Sequence, residues 1–162
     1  MQNLHLYVTL IYLIAAIPYA WMGLYAWRKR PAVAVTPFAW AMLSMSIWAF
    51  CYSLEIFFPD LQTKLFIINI EYIGIITVPV YLLFFALEYT GKNHLLTLRI
   101  KSLLWVIPIL ALLLVWTNPF HHLMWDMETI STSYGLELLS VRFGAFFWIH
   151  AVYSYVLVMF TN

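Results

Sequence analysis

Residues 65–89 read LFIINIEYIGIITVPVYLLFFALEY, 25 positions with no alternation of apolar and polar side chains. A membrane β-strand uses about ten residues with every second one polar, so a run this long and this continuously apolar is a helix that crosses a bilayer. It stops at Thr90-Gly91, where glycine takes the left-handed conformation that ends helices. The same pattern recurs on both sides. Residues 4–27 make a first span of about 36 Å, against a hydrocarbon core of about 30 Å. Residues 38–58 make the second, with Thr36 as N-cap and Pro37 in the first turn, and it leaves through Pro59-Asp60. Residues 102–116 make the fourth and shortest, closed by Thr117-Asn118-Pro119, and residues 143–160 the fifth. The expected fold is all-α: a polytopic transmembrane bundle of about five helices in a single domain, 1–162.

Composition agrees. Apolar residues are 65% of the chain and charged residues 9%, too little charge to cover a water-facing surface. Eight Trp and eleven Tyr suit a protein that crosses two lipid–water boundaries. A net charge of +1 gives no hint of a nucleic-acid partner. The lone Cys51 sits inside an apolar run, which excludes a disulfide framework and a cysteine metal site and marks it as an inert thiol. The first apolar run has no basic stretch ahead of it and is too long for a signal-peptide core, so it is expected to remain in the mature protein.

Where the basic residues fall sets the orientation. Arg28, Lys29 and Arg30 follow the first span, and Lys92, Arg99 and Lys101 separate the third from the fourth. Opposite them lie only Lys64 and Arg142, with Asp60, Asp126, Glu128 and Glu137. The positive-inside rule therefore places the N-terminus outside and Asn162 in the cytoplasm of a cell whose plasma membrane the chain crosses several times. The longest connection, 117–142, carries Trp125, Tyr134 and His121-His122, and its length points to a functional or locally folded segment.

Ionisable groups at membrane depth cost about 2.5 to 3.5 kcal/mol each on insertion scales, so each calls for a partner or a purpose. Glu55, Glu71 and His150 all fall in the outer half of their spans. Ser44, Trp48, Cys51 and Glu55 share one helix face, as do Phe146, Phe147, His150, Tyr153 and Ser154. Glu71 shares its face with Gly74, whose missing side chain lets a neighbouring helix approach. Together they describe a polar, aromatic-rich seam open to the outside. Each member also has a plain structural explanation: interfacial solvation for Glu55, the helix dipole for Glu71, a neutral interhelical hydrogen bond for His150 and packing for the aromatics. His121-His122 lacks a third ligand at a suitable spacing, so no metal site is expected. Pro18, Pro79 and Pro108 are candidate kinks. No catalytic set is evident on either aqueous side.

Four ordered strings carry a family resemblance: Asn69-Ile-Glu71-Tyr72-Ile-Gly74 with Pro79; Phe85-Ala-Leu-Glu88-Tyr89-Thr90-Gly91; Thr117-Asn118 with His121 and Trp125; and Phe147-Trp148-Ile-His150 with Tyr153-Ser154-Tyr155. From about Trp40 onward the chain resembles the N-terminal seven-transmembrane region of sensor histidine kinases. The resemblance implies a non-catalytic sensory input domain ahead of a cytoplasmic histidine kinase or cyclic-dinucleotide synthase module. Its other partners would be the bilayer, a small-molecule or membrane-derived ligand and, as an open alternative, a second copy in a homodimer. No cofactor is implied. The family pattern has seven spans and five are read here, so a partial form is expected. Candidate ligand-binding residues are Glu55, Glu71, His150, Trp48, Trp125, Tyr153 and His121. Two other classes remain: a small redox or transport component using Glu71 and His150, weakened by the lack of a second intramembrane histidine for haem, and a structural membrane subunit.

Overall fold

The computed structural model describes residues 2–133 and 136–161; Tyr134 and Asn162 lie outside the described residues. The elements are α1 (Gln2–Trp27), α2 (Val35–Phe57), α3 (Leu61–Tyr89), α4 (Leu98–Trp116), α5 (Asn118–His121), β1 (Trp125–Ser133), β2 (Leu136–Phe143) and α6 (Ala145–Met159). Helix dominates, but the all-α expectation needs correction, because the long connection folds into a short helix and an antiparallel hairpin. β-branched Thr129, Ile130 and Val141 favour the pleated backbone there. Asp126 is the extra residue of a bulge at the hairpin base, where it pairs with Arg142.

Four of the described helices are long and apolar enough to cross a membrane: Leu4–Trp27, Val35–Phe57, Leu61–Tyr89 and Leu98–Trp116. Helix α6 has 15 residues, about 22 Å, so it is shorter than the 143–160 span read from the sequence. Phe143 is taken up in the sheet opposite Trp125, and the Gly144 N–H donates to the Met124 carbonyl at 2.8 Å, which delays the helix start.

Helix boundaries follow local chemistry. Asp60 caps α3, its Oδ1 accepting from the Thr63 N–H at 2.9 Å, and the hydrogen bonds from Thr63 hold the Asp60 carboxyl below its ordinary range. At the other end Gly91, at φ +73°, and Lys92 donate to the carbonyls of Glu88 and Leu87, the paired bonds of a Schellman motif. Thr97 caps α4 by accepting from Ile100. Helix α2 starts earlier than expected: Ala34, at φ 60°, is its N-cap, and Thr36 and Pro37 sit within the first turn. The missing proline N–H costs nothing there, since first-turn amides have no partner inside the helix.

Helix α3 is the centre of the bundle, packed against α2, α4 and α6, while α1 packs on α2. Small residues make the closest approaches. Ser46 donates to the Ala16 carbonyl at 3.0 Å, and Thr77 to the Ser44 hydroxyl at 2.8 Å. One apolar cluster joins Tyr72 and Ile76 to Ala111, Val115, Met124 and Trp125, so it seats the hairpin base on the bundle. A second, around Val80, Leu83, Phe84, Leu96 and Leu157, fastens the opposite end. Outward positions such as Ile11, Ile14, Ile17, Leu103, Leu113 and Val152 are exposed and apolar, as lipid contact requires.

Candidate functional site

Trp48, in the middle of α2, is shared by two clefts. The larger, about 690 Å³, lies between α1, α2 and α3 and is walled by Tyr12, Tyr19, Trp48, Tyr52 and Glu71. The smaller, about 420 Å³, lies between α2, α3 and α6 and is walled by Trp48, Tyr72, Phe147, His150 and Ser154. Aliphatic and aromatic side chains together supply most of the lining. The polar groups are few, as in ligand sites generally.

Glu71 is 4% exposed, and its Oε2 has no hydrogen-bond partner among the described residues. Trp48 lines the same cleft as Glu71, and Glu55 is near enough to interact with Glu71 electrostatically. Because α3 begins at Leu61 and not near Leu65, Glu71 lies ten residues in, about 15 Å from the helix start. The helix dipole fades within the first turn, so it gives little help at that depth.

Glu55 lies in the last turn of α2, also buried. Its carboxyl lies close to the Leu139 backbone on β2 and to Lys64. Lys64, read from the sequence as a loop residue, is in the first turn of α3 with no exposure at all, and its Nζ donates to the Glu55 carbonyl at 2.5 Å. Lys64→Met should destabilise the chain by about 2 kcal/mol, the usual worth of a charged hydrogen bond, measured by reversible unfolding in mixed micelles. A change near zero would show that Lys64 does not hold the α2–α3 turn.

His150, 4% exposed, has Nε2 3.4 Å from the Ser154 hydroxyl and its ring 6.4 Å from that of Tyr72. The remaining sequence candidates are engaged elsewhere. Trp125 is core, its ring 5.7 Å from that of Tyr72 and its backbone held by Asn118. Tyr153 donates to the Leu104 carbonyl at 2.5 Å, tying α6 to α4. Both nitrogens of His121 are occupied, Nε2 at 3.0 Å from the Thr117 hydroxyl and Nδ1 accepting from the Leu123 N–H. The structure thus brings Glu71, Trp48 and His150 together around two adjoining clefts, with Glu55 and Lys64 beside them.

Tyr12, Tyr19, Tyr52 and Lys64 are the residues that the sequence reading missed. Two signals were available: Tyr12 and Tyr19 are seven apart on one face of α1, and Tyr52 follows Trp48 by four. Neither tells which neighbour that face meets.

At the other end of the bundle, the α1–α2 and α3–α4 connections share a hollow of about 380 Å³ lined by Pro31, Thr36, Glu88, Asn93 and Lys101. Both basic groups therefore stand at the same end. Arg30 lies over the Trp27 ring, 3.1 Å from its centroid.

Among protein-family models, that of the N-terminal 7TM region of histidine kinase matches residues 11–162. No curated protein and no solved structure matches the chain.

Proposed function

Because this chain belongs to the family of N-terminal 7TM regions of histidine kinases, we propose that it detects an external or membrane-derived ligand and passes a helix rearrangement to a cytoplasmic effector. Glu71 carries this reading: its Oε2 is buried without a partner among the described residues, and the residue lines a cleft large enough for a small molecule. An unsatisfied group so far from the helix ends costs stability, and a ligand that meets it recovers that cost. Trp48 supplies the relay. A ligand that shifts its indole in the larger cleft also alters a wall of the smaller one, where His150 and α6 pack. Occupancy then favours one α3–α6 packing over another.

In this reading α6, with its flanking residues, is the fifth span of a plasma-membrane protein, and the basic end of the bundle faces the cytoplasm. The hairpin faces outward. In a Cys51→Ser background, Ser140→Cys should react with a membrane-impermeant maleimide on intact cells, and Lys29→Cys only after permeabilisation. The opposite pattern would overturn the orientation.

For sensing itself, the chain is fused to a histidine kinase module in vesicles, and autophosphorylation is followed against a panel of small molecules and lipids. Glu71→Gln should move the half-maximal concentration of the active compound by at least about tenfold, the scale of one lost charge-assisted hydrogen bond. His150→Ala should blunt the response without comparable loss of binding. Unchanged dose–response curves in both variants would remove these residues from the mechanism.

A further inference from the structure

The larger cleft has a chemical bias that selects among ligands. Its polar end is the Glu71 carboxylate; around it stand Tyr12 and Tyr19 from α1 and Trp48 and Tyr52 from α2. Tyr12 and Tyr52 meet edge to face, with centroids 4.7 Å apart and planes at 82°. Four aromatic rings, whose faces attract cations, thus share this lining with a buried carboxyl oxygen that has no partner among the described residues.

Three ligand classes fit this lining poorly. A purely apolar molecule would fill the space but leave Oε2 as it stands, buried and unpaired. An anion would meet the Glu71 carboxyl head-on, with Glu55 close enough to add to the repulsion. A bare metal ion wants several oxygen or nitrogen ligands, and no group of three or more His, Cys, Asp or Glu among the described residues is placed to hold one. An organic cation meets every requirement. Its charge pairs with the carboxylate, its alkyl groups lie on the ring faces, and the rest of the molecule occupies the apolar volume.

We infer that the Glu71 cleft is a receptor site for an organic ammonium group, with Tyr12, Tyr19, Trp48 and Tyr52 as the cage and Glu71 as the counter-charge. The inference rests on the sensory reading above and names its ligand class. Such a group reaches the site either from water or on an amphiphile. Tyr12 and Trp48 remain 38% and 43% exposed at the cleft wall, which keeps a lateral route through lipid open.

The test uses the full chain in phosphatidylglycerol nanodiscs, whose lipid carries no ammonium group, with protein-free discs subtracted. Choline is titrated against its uncharged carbon isostere 3,3-dimethylbutan-1-ol, and dodecyltrimethylammonium supplies the membrane-borne arm. At least one of the two cations should bind saturably, and that cation at least tenfold more weakly to Glu71→Gln. Where choline binds, its isostere should bind at least tenfold more weakly. Tyr52→Leu should weaken binding severalfold and Tyr52→Phe should not, which separates loss of the ring from loss of the fold. Tight binding of dodecyltrimethylammonium with weak binding of choline identifies the bilayer as the source; the reverse identifies water. Equal binding of choline and its isostere, no effect of Glu71→Gln, or no saturable binding of either cation would overturn the assignment. Should the kinase fusion still respond through Glu71 to an uncharged compound, the ammonium inference falls and the sensory reading stands.

Discussion

Gly74→Val should cost about 3 kcal/mol, at the upper end for overpacking a close contact, and should separate α2 from α3. A Cβ at Gly74 would lie 2.7 Å from the Ser44 carbonyl oxygen and 2.9 Å from the Trp48 backbone nitrogen. Both are main-chain atoms inside a helix, so no side chain can swing aside; the helices themselves must part. The bond from Thr77 to Ser44, one turn along, would stretch with them. The displacement falls on Trp48, so both clefts should change shape, and any ligand response through Glu71 should be lost together with stability. Reversible unfolding in mixed micelles gives the first readout and the kinase fusion the second. Gly91→Ala is the useful contrast. Nothing lies within 4 Å of its added carbon, and only the left-handed backbone, at φ +73°, is strained, for about 1 kcal/mol. A Gly74 variant as mild as that one would mean that α2 and α3 are not in close backbone contact.

Asn118→Ala should be of similar size and should release the hairpin from the bundle. Asn118 is 1% exposed. Its Oδ1 accepts from the N–H groups of Met124 at 3.0 Å and Trp125 at 3.2 Å, and its Nδ2 donates to the Trp125 carbonyl at 2.9 Å. Truncation leaves two amides and a carbonyl buried without partners, at about 3 kcal/mol together. Trp125 should then leave its place against Tyr72, with loss of near-ultraviolet dichroism and faster proteolysis between β1 and β2. Asn118→Asp, which keeps both acceptor bonds, should fall between the wild type and the alanine variant. An alanine variant with normal stability and a protected hairpin would refute this anchoring role.

Several parts of this architecture were plain in the order of residues. The long apolar runs gave membrane helices, Thr90-Gly91 gave the end of α3, and the two basic groups gave a common end of the bundle. Gly74 was legible as a point of close helix approach, because absence of a side chain has one main use between membrane helices. The hairpin was less so. Residues 125–143 mix charged, small and β-branched residues with no long period, and their strand pairing depends on Asn118 and Gly144 drawing the two ends together. Lys64 was misread as a loop cation because Asp60 starts α3 four residues earlier than the apolar run does.

Sequence alone determined the solvent, the helical class and the family strings, since each depends on properties summed along a contiguous segment: hydropathy, length, caps. Tertiary structure alone decided that Trp48 stands between two clefts, that Tyr12 and Tyr52 meet across α1 and α2, and that the seam expected to be one site is divided. In a bilayer nearly every helix face is apolar, whether it touches lipid or another helix. Hydrophobic periodicity therefore loses its power to say which face turns inward. Only the packing of small residues, fixed in three dimensions, brings Glu71 among the tyrosines.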